Sequence, residues 1–112
     1  MPLSRRARIE IYLPDRGRSD YARMQRAFEL EFLKTFGGCT VIKNIKGMYF
    51  GSDEETDEEK VSLVYTDTPF DFEKHFDEIS KYTDELRDAA LEASDEESIL
   101  IVVHSIHHSI GA

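Results

Sequence analysis

The spacing of apolar residues changes along the chain and predicts where strands and helices lie. Apolar side chains occupy every second position of RIEIYL, residues 8–13, and polar or aromatic side chains fill the positions between them. A period of two residues is typical of a strand with one buried face. Pro14 ends this strand because it has no backbone N–H to donate to a sheet, and residues 15–18 form a turn.

A longer segment repeats its apolar residues every three or four positions, which predicts a helix. This helix begins after an N-cap at Ser19 and ends at Phe36, where Gly37 and Gly38 supply the left-handed stop that many helices use. Its buried stripe comprises Tyr21, Met24, Phe28 and Phe32, with Ala27 and Leu33 beside it.

A second helix is predicted over residues 72–93, with Asp71 as its N-cap. The same spacing of three or four positions identifies the face that it buries. That face comprises Phe72, Phe76, Ile79, Leu86 and Ala90, with Tyr82 beside it.

Three further strands complete the pattern. Residues 39–49 form one strand, whose alternation slips between Asn44 and Gly47 and so indicates a β-bulge. Residues 61–67 form the next strand, and residues 98–106 form the last. The acidic stretch between the second and third strands, GSDEETDEEK, is predicted to be a charged hairpin tip that keeps this edge from pairing.

The predicted order of elements, β-α-β-β-α-β, resembles the ferredoxin-like arrangement. The resemblance covers the whole chain but consists of element order alone. It implies an α+β fold in which two helices lie on one face of an antiparallel four-stranded sheet. The length of the chain fits a single domain of residues 1–112. Because that fold supports many unrelated functions, it predicts none by itself.

The last strand is apolar on both of its faces. Ile99, Ile101 and Val103 lie on one face. A strand of this kind is normally covered on both sides, and the two helices cover only one. We therefore expect a second copy of the sheet to cover the other, as in dimeric α/β barrels, although the C-terminal tail could also serve. The predicted interface comprises Leu100, Val102, His104, Ile106 and His108.

Three histidines at the end of this strand raise the question of chemistry. In a regular strand His104 and His108 share a face about 13 Å apart, too far for one metal ion, and His107 points the opposite way. We predict no metal site and expect neutral His104 and His108 rings at the dimer seam, with His107 either facing solvent or bonded within its own subunit. The alternative is catalysis, in which His104 acts in acid–base chemistry with Asp67 and Tyr12.

Composition restricts the classes of function. The chain has 112 residues and a net charge of −9, which argues against general nucleic-acid binding. The charge is uneven, because residues 1–26 hold seven arginines and three acids, whereas the remainder holds seven basic and twenty acidic residues. A lone cysteine, Cys39, is expected to serve packing. The single cysteine and the lack of a secretory pattern favour the cytoplasm. The lack of an apolar run of about 20 residues argues against membrane association.

The turn PDRGRS is the best candidate for ligand binding. Arg16 and Arg18 flank Gly17 just before a helix N-terminus, where free N–H groups and the helix dipole favour an anion. Two guanidinium groups add charge and bidentate geometry. The alternative is a solvated turn, since Asp15 and Asp20 compete for the same charges. The acidic run of residues 53–59 lacks the ligand spacing and glycine of an EF-hand.

These observations favour a small homodimeric binding or regulatory module that senses an anionic ligand or docks an acidic protein. A small dimeric enzyme that performs acid–base or phosphodiester chemistry is the alternative. A closed apolar seam would support the module, whereas a concave pocket lined by Tyr12, His104 and an acid would support the enzyme. No cofactor is predicted.

Overall fold

The computed structural model describes residues 4–50, 56–96 and 98–109 and confirms the ferredoxin-like α+β fold. Within these ranges, four antiparallel strands form one sheet in the order β2-β3-β1-β4, with two helices. The elements are β1 (Ser4–Pro14), α1 (Ser19–Phe36), β2 (Thr40–Phe50), β3 (Thr56–Asp67), α2 (Phe76–Glu92) and β4 (Leu100–His108).

The core lies between the helices and one face of the sheet, as the alternation in β1 predicts. Ile9, Ile11 and Leu13 are almost completely buried, and the register places Ile11 beside Val64 of β3. All four predicted stripe residues of α1 are buried against this face: Tyr21, Met24, Phe28 and Phe32. Each large apolar side chain buried in this way contributes roughly 1.5–3 kcal/mol to stability. Cys39 packs against the same cluster, as expected.

Helix α1 ends at Phe36 as predicted but begins one residue earlier than predicted. Arg18 occupies the N-cap with an extended backbone, Ser19 is already helical, and no side chain caps the end. At the other end Gly37 adopts φ 85°, a left-handed conformation that only glycine adopts without strain. Its N–H donates to the carbonyl of Leu33 at 2.9 Å, so the glycine stop is confirmed.

Helix α2 begins at Phe76, so the predicted start at Phe72 and the predicted N-cap at Asp71 are wrong. Asp71 instead organises the preceding turn, since its Oδ1 accepts from the N–H groups of Glu73 and Lys74 at 3.0 and 3.1 Å. These hydrogen bonds lower the pKa of the Asp71 carboxyl. His75 Nδ1 accepts from the N–H of Asp71, which further fixes the turn.

The predicted buried face of α2 is correct for its later turns only. Ile79, Leu86 and Ala90 are buried, but Phe76 is 53% exposed and packs edge-to-face on Phe72 at 5.7 Å. Because the helix begins only at Phe76, Phe72 lies in the preceding turn and is not part of the helical stripe.

The two edges of the sheet differ in regularity. The register of β2 against β3 shifts between Ile42 and Ile45, and Asn44 adopts φ 64°, which confirms the predicted bulge. By contrast, the pairing of β4 with β1 runs without interruption from Leu100 to His108. Only β2 therefore has the local irregularity that discourages pairing with another strand.

Three strands extend beyond their predicted ends. β1 starts at Ser4 rather than Arg8, and β4 continues to His108. β3 starts at Thr56 rather than at Val61, so the acidic residues from Asp57 to Glu59 belong to a strand and not to a hairpin tip. Residues 53–55 of the acidic run lie outside the described residues.

Replacing Thr68 with valine is expected to lower the free energy of unfolding by about 1–3 kcal/mol. Thr68 is fully buried. Its hydroxyl donates to the Ala7 carbonyl at 2.8 Å and accepts from the Phe70 N–H at 3.2 Å, so valine leaves that N–H without its acceptor. Urea unfolding measures the change. The control Thr40→Val alters an exposed strand residue and should shift stability by less than about 0.5 kcal/mol, and equal effects would contradict this role of Thr68.

Candidate functional site

The face of the sheet that the helices leave uncovered divides into two chemically different halves. We call this surface the open face. Its apolar half comprises Tyr12, Ile42, Ile45, Val61, Leu63 and Leu100. Its charged half comprises Arg6, Arg8, Glu10, Asp67, His104 and His108. The five predicted interface residues of β4 lie together on this face, and His107 points away from it and is exposed.

An ion pair between the two central strands forms the middle of the charged half. Arg8 Nε and Nη2 donate to the two carboxylate oxygens of Asp67 at 2.6 and 3.0 Å, a bidentate geometry. The guanidinium also lies 4.2 Å from the ring centroid of Tyr65, a cation–π distance. The hydrogen bond to Asp67 raises the pKa of Arg8. The predicted site residue Asp67 is therefore paired with Arg8, a partner that sequence reasoning did not predict.

The predicted pairing of His104 with Asp67 does not occur. Asp67 is held by Arg8, and its second neighbour is His108, whose Nε2 lies 3.2 Å from Oδ2. His104 instead lies beside Glu10, with 3.4 Å between Nε2 and Oε1. Each histidine thus has a carboxylate neighbour, whereas the expectation of neutral rings assumed that neither had one.

Glu10 is the functional candidate that sequence reasoning missed. Burial and the neighbouring Glu10 carboxylate raise the pKa of Tyr12, so Glu10 lies between Tyr12 and His104 on the open face. The alternation of RIEIYL places Glu10 and Tyr12 on one face. Their proximity to His104 depends on the β1–β4 register, which periodicity does not determine.

Three nitrogen atoms in the charged half are buried without a directed hydrogen bond. They are Arg6 Nε, His104 Nε2 and His108 Nε2. Both histidine nitrogens lie within ion-pair distance of a carboxylate, but neither forms a well-aligned hydrogen bond with it. Polar atoms in this state are uncommon in folded proteins and call for an explanation.

In the predicted anion-binding turn, Asp15 and Asp20 make the competing contacts that the sequence suggested, and further carboxylates join them. Gly17 adopts φ 68°, and its N–H donates to the Asp15 carboxylate at 3.2 Å. Arg16 contacts Glu96 at 2.6 Å and Glu59 at 3.1 Å. Both contacts raise the pKa of Arg16, with the hydrogen bond to Glu96 contributing most.

Arg18 is likewise paired, with Asp20 at 3.0 Å and Asp95 at 2.9 Å. The two guanidinium groups of the turn therefore already face four carboxylates. An anion that binds between them would have to displace at least one of these side chains.

A cavity of 780 Å³ joins this turn to the apolar half of the open face. Three carboxylates and the Arg16 guanidinium supply its charged groups: Glu59, Asp95, Glu96 and Arg16. Tyr12 lines the cavity, but His104 does not. The concave pocket expected of the enzyme, with Tyr12, His104 and an acid together, is therefore not formed here.

The remaining candidates add little chemistry. Cys39 lines a second cavity of 370 Å³ near Asp67, at the end of β3. Among the described residues, no cluster of three or more histidine, cysteine or acidic side chains has an arrangement suited to a metal ion. Neither helix within those residues is long and apolar enough to cross a bilayer.

No protein-family model and no curated protein matches the chain in sequence. Solved structures do resemble it. CPII from Thiomonas intermedia K12, bound to ADP, AMP and acetate, is 18% identical, with a TM-score of 0.50 over 98% of this chain and 94% of that one. At this identity the similarity concerns the fold.

Two further structures are more distant. CPII with ADP, AMP and bicarbonate, described as a nitrogen regulatory PII-like protein, has a TM-score of 0.48 at 20% identity over 97% of this chain and 100% of the other. CutA1 from Oryza sativa has a TM-score of 0.46 at 13% identity over 98% and 85% of the respective chains.

A double-mutant cycle with Arg8→Gln and Asp67→Asn should give a coupling energy of about 1–3 kcal/mol, because the pair is bidentate and its side chains are only 25% and 22% exposed. Urea unfolding of the four proteins measures it. The Arg87–Asp84 pair is equally short at 2.6 Å but more exposed, and should give about 0.2–1 kcal/mol. Equal couplings would contradict a special role for the central pair.

Proposed function

We propose that this protein is a small regulatory module that self-associates through the open face of its sheet and binds an anionic ligand. The observation that carries the proposal is the open face itself. The described helices leave it uncovered, yet it holds an apolar half that includes Leu100, which is 59% exposed. Covering this surface with a second copy removes apolar area from water at roughly 25 cal/mol per Å².

The anionic ligand is proposed from the arginines of the turn and from the shared fold. CPII, whose structure resembles this chain, is bound to ADP, AMP and acetate, all of which carry an oxyanion. We propose that Arg16, Gly17 and Arg18 receive such a group, with Glu96 or Asp95 released from its arginine in exchange. We further propose that the module acts in the cytoplasm, since its one cysteine suits a reducing compartment.

An enzyme remains the second candidate because Glu10 lies between His104 and Tyr12. A carboxylate beside an imidazole can orient the ring for proton transfer. If the protein catalyses such a step, Glu10→Gln should abolish turnover while AMP binding persists. If the protein is instead a binding module without enzymatic activity, the same variant leaves its AMP affinity unchanged, and neither the wild type nor the variant shows turnover.

Replacing Leu100 with lysine should dissociate the assembly without unfolding the chain. The substitution places a charge in the apolar half of the open face, where a second copy would bury it. Sedimentation velocity of the wild type should show an oligomer, and the variant should sediment as a monomer. The matched control is Leu33→Lys on α1, which alters a leucine that is 51% exposed and lies outside the open face. A wild-type monomer would contradict the proposed self-association.

Arg16→Ala combined with Arg18→Ala should abolish binding of AMP, measured by isothermal titration calorimetry. Because both arginines are exposed, the melting temperature should change little. The control variant, Arg23→Ala with Arg26→Ala, removes the same charge from the exposed surface of α1. Normal AMP affinity in the first variant would show that the turn is not the site.

A further inference from the structure

One corner of the charged half holds three buried nitrogen atoms that make no hydrogen bond with a described residue. We call it the basic corner, and it comprises Arg6, His104 and His108. Arg6 pairs with Ile106 in the β1–β4 register, and the two histidines flank Ile106 on the same face of β4. Diagonal neighbours of this kind lie about 7–8 Å apart, within reach of long side chains.

The other charges of the open face are largely matched to one another. Arg8 and Asp67 form a bidentate ion pair. Their opposite charges largely cancel, so each attracts a further charged group only weakly. Glu10 has Tyr12 and His104 as neighbours. Arg6 differs, because its guanidinium makes no ion pair with any described residue and its Nε is buried. Among the described residues, Arg6 is therefore the one cation of the charged half without an ion-pair partner.

A buried donor without an acceptor lowers the stability of a protein, and this free-energy cost is largest when the donor is charged. An oxyanion supplies several acceptors and a negative charge, and arginine is well suited to phosphate and carboxylate. We infer that the basic corner binds the oxyanion group, phosphate or carboxylate, of a small ligand. The site rests on the proposed anion-binding function but is separate from the turn at Arg16 and Arg18.

The competing carboxylates do not prevent this binding. Asp67 and Glu10 are the acidic side chains nearest the two histidines, at 3.2 and 3.4 Å from Nε2. The charge of Asp67 is offset by Arg8, and small rotations of the imidazole rings redirect their N–H groups from a poorly aligned carboxylate to a ligand oxygen. In the turn, by contrast, an anion must break ion pairs that are already well formed.

Inorganic phosphate is the probe, and the histidine side-chain signals of the intact protein, observed by NMR, are the readout. Saturable shifts of His104 and His108, with His75 and His107 unaffected, are expected. Arg6→Gln should weaken phosphate binding at this site about tenfold or more, whereas the control Arg23→Gln should not change it. His108→Gln provides a second variant, and circular dichroism verifies that each variant is folded.

The outcomes separate this inference from the proposed function. If phosphate leaves both histidines unchanged while Arg16→Ala with Arg18→Ala still abolishes AMP binding, the basic corner is overturned and the turn is supported. If the histidine signals respond to dilution of the protein but not to phosphate, a carboxylate of a second copy satisfies the donors, and the small-ligand site is overturned. If the histidines respond to phosphate in a chain that remains monomeric, the inference holds without self-association.

Discussion

The first strand has a neighbour on each side and opposite chemistry on its two faces, and the remaining elements are arranged around that constraint. From Ala7 to Leu13, the side chains that it presents toward the helices are small or apolar, and they include Ile9 and Ile11, which are completely buried. Toward the open face it presents Arg8 and Glu10. Because β3 and β4 pair with it on either side, both must match an apolar core on one face and a charged surface on the other.

Periodicity was sufficient for the order of elements and for most of the core. The alternation in β1 and the helical stripe of α1 predicted buried residues correctly because each pattern follows from the geometry of a single element. Prediction failed where a local interaction interrupts the pattern. Asp71 and His75 hold a turn where helical spacing predicted a first helical turn, and Phe76, the first residue of α2, is exposed.

The candidate site was less predictable because it depends on cross-strand register and on distant partners. The spacing of Arg16 and Arg18 was visible in the sequence, but Glu96, eighty residues from Arg16, was not identifiable as its partner. Similarly, Asp67 and His104 were each predicted to carry chemistry. Their neighbours depend on the pairing register of the strands, which places Asp67 opposite Arg8. It also places Glu10 beside His104.

The unequal edges of the sheet determine where a strand of another molecule could be added. A strand added to β2 would meet the register shift and left-handed backbone at Asn44, whereas β4 offers nine regularly paired residues. Continuous fibrils need two receptive edges on every molecule. With one receptive edge, two copies that join edge to edge leave only their β2 strands outermost, so growth of the sheet stops at a pair.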